Sequence, residues 1–260
     1  MVMVITGILA GIVAVFITKP VQGYVDSVRR AELTDAADVA LRRMTRDVRL
    51  SLPNSLRQTS ATSFEFIMTK SGGRYRDSGD GSSGPGLKYL FTDSSSFDVV
   101  GPIPSLQTGD LIVVYNLGEG YSPADAYTST NVATVGTGTL TANPIPLSAN
   151  PFPTQLPPLP SPTARFQLVA AGDKVVRYTC AGGVLTRYSG CTLATPSVCG
   201  SPGSLLAGSP DGKPNAACEI DYTSAAAGRN GLLYIRITLT DTPSSESVTL
   251  FQQIHVDNAP

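Results

Sequence analysis

The chain begins with a continuous apolar segment, and the pattern of hydrophobic and polar positions changes twice after it. Residues 1–18 contain no charged side chain. A helix of this length spans roughly 27 Å, close to the ~30 Å hydrocarbon core of a bilayer. The segment has neither the basic start nor the small-residue cleavage site of a secretory signal peptide. It therefore predicts a helix over residues 1–20 that inserts into a membrane or into a filament core.

Four small or helix-breaking residues suggest how this helix packs and bends. Gly7 and Gly11 have the spacing that lets a second helix approach the backbone closely, although such spacing also arises by chance in a glycine-rich apolar run. Pro20 lacks a backbone N–H and crowds the preceding turn, and Gly23 follows it closely. We expect a kink or a locally loosened helix over residues 18–23.

From residue 21 to about residue 52, apolar positions recur every three or four residues and charged residues occupy most of the others. This is the pattern of an amphipathic helix with one narrow buried stripe. Pro53 cannot continue the helix and disfavours helical Leu52, so the helix should end there. Residues 21–53 are predicted to pack on the rest of the chain through Ala37, Ala40, Leu41, Met44 and Val48.

Beyond residue 53 the apolar positions alternate with a period of two, which predicts short antiparallel strands separated by turns. The expected strands are residues 64–68, 87–91, 97–100, 110–115, 165–170, 174–179, 184–188, 232–240 and 247–256. Turns at 171–173 and 181–183 would join three consecutive strands into a meander.

The resulting prediction is an α+β fold, in which a long N-terminal helix carries an antiparallel β-sheet head of two lobes, residues 54–142 and 164–260. The proline-rich residues 143–163 between them predict an extended strap, because proline is excluded from central strands. A docking site for a proline-reading domain is the alternative for this segment.

All four cysteines fall within one 39-residue window, namely Cys180, Cys191, Cys199 and Cys218. No C-x-x-C occurs and the chain has one histidine, so disulfides are favoured over a zinc site. Three pairings are possible. Pairing of sequence neighbours, Cys180 with Cys191 and Cys199 with Cys218, would cross-link two local loops. Oxidised cysteines indicate a location outside the cytoplasm.

Charge and motifs argue against nucleic-acid binding and against catalysis. Lys and Arg total 19 against 20 Asp and Glu, and the arginines at residues 42–49 are interleaved with Asp38 and Asp47 as on a salt-bridged helix face. The chain has no phosphate-binding loop, dinucleotide fingerprint, nucleophile elbow or metal-binding helix motif. Asp77 and Asp80 lack the register of a calcium loop, and Ser247, His255 and Asp257 lie along one predicted strand. We expect no enzyme, cofactor or metal.

Two stretches carry a resemblance to a known family. Residues 1–17, MVMVITGILAGIVAVFI, followed by a charged helix, resemble the N-terminal helix of type IV pilins and type II secretion pseudopilins. The later stretch LRRMTRDVRLSLPNSLR, Leu41 to Arg57, is similar to the MshO-type minor pilins of mannose-sensitive haemagglutinin pili. The match covers roughly the first 57 residues, and the β-rich remainder agrees only in character.

The resemblance implies a function and a location. The helix would be held in the inner membrane before assembly and would then pack against other major and minor pilin subunits in the filament core, with the head outside the cell. It also implies that residues 18–23 can lose helix on assembly.

One family feature has no counterpart here, because a leader ending in Gly, a Phe-Thr-Leu-type start and a nearby Glu match no position in this sequence. We expect an in-frame extension upstream of Met1 to encode them. Such a leader would also supply basic residues on the cytoplasmic side, whereas Lys19, Arg29 and Arg30 lie on the other side of the apolar segment.

The predicted function is therefore that of a minor pilin, a non-enzymatic subunit that initiates or joins a type IV pilus. A J-type pseudopilin of a type II secretion system is the first alternative. A membrane-anchored extracytoplasmic binding or adhesin domain is the second.

Overall fold

The computed structural model describes residues 2–81, 84, 86–194, 198–200, 202–224 and 230–259, without the side chains of residues 14, 15, 17–20 and 224. One α-helix, α1 (Val2–Arg49), precedes a region of strands with two short 3₁₀ helices at Ala126–Thr128 and Phe152–Thr154. The strands described are β1 (Arg57–Ser60), β2 (Ser63–Ile67), β3 (Thr69–Tyr75), β4 (Ser96–Phe97), β5 (Val99–Val100), β6 (Leu111–Val113), β7 (Val132–Val135), β8 (Ile145–Ala149), β9 (Arg165–Val169), β10 (Val175–Ala181), β11 (Val184–Cys191), β12 (Ser204–Gly208), β13 (Asn215–Ser224), β14 (Asn230–Asp241) and β15 (Glu246–Asp257).

The predicted α+β class with a two-lobed head is wrong. The structure is mostly β, with 39% strand in three antiparallel sheets and 20% helix. The sheets also cut across the predicted lobes, because strands at residues 57–67 pair in one sheet with strands at residues 175–208. The alternation of apolar and polar residues predicts where strands lie but not which distant strands pair. The sequence pattern therefore predicted the wrong architecture.

Helix α1 is assigned without interruption from Val2 to Arg49. It continues through Pro20 and Gly23, so no locally loosened stretch is seen there. A kink at these residues and loss of helix on assembly stay predictions. The helix ends at Arg49, three residues before the predicted end at Leu52, and the N–H groups of Leu50 and Ser51 bond to carbonyls of its last turn.

One face of α1 packs into the largest hydrophobic core. The predicted stripe is buried at all five positions, with relative exposures from 0% to 5%: Ala37, Ala40, Leu41, Met44 and Val48. Leu33 adds a further buried position one turn earlier. These side chains meet residues from the five-stranded sheet, such as Phe66, and from the three-stranded sheet, such as Ile235. The helix therefore joins two sheets into one core.

The five-stranded sheet has the order β1-β2-β10-β11-β12, and the three-stranded sheet has the order β13-β14-β15. The disulfide between Cys180 and Cys218 links β10 to β13, and so links the two sheets. A second disulfide joins Cys191 to Cys199. The prediction of two disulfides is confirmed, with a pairing other than the one between sequence neighbours.

The seven-stranded sheet has the order β4-β8-β7-β6-β9-β3-β5 and its own hydrophobic core. Strand β8 lies between two neighbours inside the proline-rich segment, where the sequence predicts no central strand. Pro146 fits because its carbonyl accepts the Gly136 N–H, and the N–H of Leu147 donates to Ser95. Pro146 therefore takes part in the sheet through its carbonyl group, and its lack of an N–H does not interrupt the pairing.

Two further local predictions are wrong. Residues 87–91 form no strand: residues 87–89 are irregular and residues 90–91 lie in a turn, where the Asp93 carboxylate accepts the Tyr89 N–H at 2.7 Å. This hydrogen bond is the main reason why the pKa of Asp93 is lowered. Residues 171–173 do not close a hairpin, since β9 and β10 belong to different sheets. Buried Asp110 holds this crossing by accepting the Ala171 N–H at 3.1 Å.

Met44→Asp should destabilise the protein by about 4 kcal/mol or more, because it places an unpaired charge in the core that joins α1 to two sheets. Val39→Asp is the matched control, since Val39 lies on the same helix and is 56% exposed. Unfolding followed by circular dichroism compares the two variants. Equal stabilities would contradict the packing of α1 described above.

Removing the Cys180–Cys218 disulfide by double alanine substitution should cost about 4 kcal/mol, and removing Cys191–Cys199 about 2.5 kcal/mol. The difference follows from sequence separations of 38 and 8 residues. Chemical unfolding of both double variants measures it, and mass spectrometry of the unreduced parent checks for free thiols. A larger loss from the shorter loop would contradict the loop-closure argument.

Candidate interaction surface

The N-terminal part of α1, residues 2–28, is termed here the apolar arm. Its large apolar residues with described side chains are exposed on every side, with Met3 at 90% and Phe16 at 78%. They are Val2, Met3, Val4, Ile5, Ile8, Leu9, Ile12, Val13, Phe16, Val21, Tyr24, Val25 and Val28. A helix that is apolar all round is normally buried, so this exposure identifies a surface that lacks its partner.

The apolar arm also contains three glycines. A Cβ atom added at Gly7, Gly11 or Gly23 would meet nothing within 4 Å. None of these glycines is therefore explained by packing within the described chain. Gly7 and Gly11 lie one turn apart and would let another helix approach the backbone.

The sequence predicts that residues 1–20 insert into a membrane or into a filament core. In the part of the chain whose side chains are described, no helix is long and apolar enough to span a bilayer. The predicted span includes residue 1 and the side chains of residues 14, 15 and 17–20, which lie outside the described part.

A groove runs between α1 and β15 from the base of the apolar arm. It consists of two adjoining cavities of about 750 and 480 Å³ that share Asp38. The first is lined by Asp26, Ser27, Arg30, Ala31, Thr34, Asp35, Asp38 and Leu250. The second is lined by Asp38, Leu41, Arg42, Thr45, Arg46, Arg49, Leu50 and Gln252. The groove is therefore mainly acidic near the arm and basic at its other end.

Ion pairs fix the helix at the start of this groove. The Arg30 Nε donates to Glu246 Oε1 at 2.7 Å, and the Arg29 Nε lies 4.0 Å from Asp241 Oδ2. Both acids flank the turn between β14 and β15. These contacts mark the point at which α1 leaves the sheets and the apolar arm begins.

Strand β15 forms the outer wall of the groove and is an edge strand. It pairs with β14 over twelve consecutive residues without a bulge, and has no second neighbour among the described strands. Long regular edges present unpaired backbone groups to other chains. The apolar arm, the groove and this edge make one side of the molecule suited to contact with protein.

The remaining residues considered from sequence do not assemble a chemical site. Ser247, His255 and Asp257 are spaced along β15, and Asp80 forms an ion pair with Arg76 at 3.2 Å. No group of three metal-ligating side chains occurs among the residues that the structure describes. Sequence patterns also gave no sign of the groove, because it depends on where β15 lies against α1.

Comparisons of this chain with protein-family models, with curated proteins and with solved structures give no match.

Deleting residues 1–28 should change the free energy of unfolding by less than about 1 kcal/mol, because the described side chains removed contribute little to the core. The shortened chain should be monomeric, whereas the full chain should self-associate through the apolar arm. Light scattering coupled to size exclusion and thermal unfolding measure both properties. A shortened chain that unfolds or still self-associates would contradict this assignment.

Proposed function

We propose that this chain is a structural subunit of a type IV pilus, a minor pilin of the mannose-sensitive haemagglutinin class, which packs against other pilin subunits through its apolar arm. The single observation that supports the proposal most is the exposure of thirteen large apolar residues along 27 residues of continuous helix. The resemblance of residues 1–17 and 41–57 to pilins and MshO-type minor pilins gives the class of filament.

The energetic argument favours burial of the arm against several helices. Fully burying one large apolar side chain is worth about 1.5–3 kcal/mol. Residues on all sides of the arm are exposed, for example the consecutive Met3, Val4 and Ile5 at 57–90%. A single partner helix covers only one face, whereas a filament core surrounds each helix with neighbours and buries every face.

The two glycines support helix packing over attachment to an apolar surface alone. An apolar helix of any composition binds such a surface, and leucine would serve better than glycine. Gly7 and Gly11 instead reduce the helix radius at two successive turns, which allows backbones to approach. Their lack of any contact in the isolated chain is what a site for a neighbouring helix requires.

The disulfides support an extracellular position for the sheets, because disulfides persist in oxidising compartments. The groove beside α1 adds charged contacts next to the arm, acidic at Asp26 and Asp35 and basic at Arg46 and Arg49. Neighbouring subunits of a filament would meet these charges once their helices are packed. The apolar arm provides affinity, and the charges set register.

Gly7→Leu with Gly11→Leu should greatly reduce incorporation into pili, because two leucines prevent close approach of helices. The fold should not suffer, since both positions are open and leucine favours helix more than glycine. The matched control is Ile8→Leu with Ile12→Leu, which keeps the spacing and the hydrophobicity. Piliation and subunit content of purified pili are measured in a strain lacking the native protein.

Normal incorporation of the double glycine variant would contradict the packing role and favour an anchored binding domain. Complementation separates the two filament alternatives. A minor pilin restores piliation to the deletion strain, whereas a J-type pseudopilin restores type II secretion and leaves piliation unchanged.

A further inference from the structure

Two arginines lie directly opposite each other on the seven-stranded sheet. Arg74 of β3 pairs in register with Arg165 of β9, and both residues are exposed. Side chains opposite each other in an antiparallel pair share one face and have Cβ atoms about 4.5–5.5 Å apart. Like charges in this arrangement repel each other, so the pair needs a counter-charge to be favourable.

The described residues provide no such counter-charge. Neither guanidinium has a hydrogen bond or an ion pair with a described residue. The buried carboxylates of this part of the chain are already engaged, since Asp98 binds Arg76 at 3.3 Å and Asp110 binds Lys70 at 2.6 Å. The two positive charges thus face solvent together.

The five-stranded sheet shows how this chain neutralises two arginines in one row. Glu65 of β2 pairs in register with Arg57 on one side and with Arg177 on the other. Its Oε1 accepts from Arg57 Nε at 2.8 Å, and its Oε2 accepts from Arg177 Nε at 2.9 Å. The row that contains Arg74 and Arg165 continues to Val100 and has no such carboxylate.

A cleft of about 450 Å³ lies beside the arginine pair. Its lining includes Gly72, Gly73, Val100, Pro102 and Gln167. Both glycines are required by packing, because a Cβ at Gly72 would lie 2.9 Å from the Phe166 carbonyl oxygen, and one at Gly73 would lie 2.7 Å from the Phe166 ring. At these two positions β3 lines the cleft with backbone alone.

We propose that Arg74 and Arg165 bind an oxyanionic group of an external ligand, a carboxylate, sulfate or phosphate, in this cleft. Guanidinium groups bind such oxyanions through paired, charge-assisted hydrogen bonds. Gln167 lies two residues after Arg165 on the same strand face and supplies a neutral amide donor. Val100 and Pro102 give an apolar wall for the part of the ligand that carries the anion.

This site is independent of the proposed filament contact. The cleft belongs to β3, β5 and β9, whereas α1 packs on β12, β14 and β15. An assembled subunit could therefore bind anionic ligands, and a chain that never assembles could do so equally. Failure of the anion site leaves the role of the apolar arm unaffected, and the reverse also holds.

The test is calorimetric titration of the full chain with sodium sulfate, sodium phosphate and sodium glucuronate at constant ionic strength. Arg74→Gln with Arg165→Gln should weaken binding at least about tenfold, because both charge-assisted bonds are lost. The matched control is Arg236→Gln, another strand arginine that is half exposed and ion-paired with Glu219. Preference for glucuronate indicates an acidic sugar, and preference for sulfate or phosphate indicates an inorganic or esterified anion.

A second measurement guards against a merely unfolded variant. In chloride buffer, Arg74→Gln alone should raise the melting temperature, because it removes the repulsion between the two arginines. Saturating oxyanion should abolish this difference from the parent. Equal stabilisation of the parent, the double variant and the Arg236→Gln control would mean an adventitious ion only and would overturn the proposal, as would the absence of saturable binding.

Discussion

The packing of one helical stripe on two sheets is the constraint on which the rest of this structure depends. Helix α1 has 48 residues, yet its buried apolar positions run only from Leu33 to Val48. Those side chains meet both the five-stranded and the three-stranded sheet, so the helix lies across the two sheets and completes one shared core. None of the described side chains of residues 2–28 is buried, and the same helix therefore continues as an unpartnered apolar arm.

A buried charge fixes the helix in rotation as well as in position. The Asp47 Oδ2 accepts hydrogen bonds from Arg187 Nε at 2.7 Å and from the Tyr178 hydroxyl at 2.8 Å. Burial, assisted by the neighbouring carboxylate, raises the pKa of Tyr178 and keeps its hydroxyl protonated as a donor. Asp47 is 3% exposed and forms an ion pair with Arg187, whose side chain is 13% exposed. Loss of Asp47 would therefore leave a largely buried arginine charge without its partner. With this face held inward, Arg42 and Arg46 must face the groove.

The sequence predicted those features that depend on local periodicity or on residue type. The helical repeat identified all five stripe residues from Ala37 to Val48, and cysteine spacing indicated two disulfides. The sequence did not predict which strands pair with each other. The segments β9 and β10 look like neighbours in a meander but lie in different sheets, where buried Asp110 holds the crossing. The arginine pair at residues 74 and 165 was missed for the same reason, since the two arginines are 91 positions apart and only strand register brings them together.

Where this chain leaves charges and apolar groups without partners is as informative as where it pairs them. Glu65 is 1% exposed, and both of its oxygens bind arginine, because an unpaired buried carboxylate would cost several kcal/mol. Solvent lowers that cost for Arg74 and Arg165, so the fold tolerates them unpaired. Water does not stabilise the apolar side chains of residues 2–28 in this way. Their exposure to water is unfavourable in free energy until another surface covers them. The apolar arm should therefore determine whether the subunit exists alone, while the arginine pair can stay vacant at little cost and respond to a ligand.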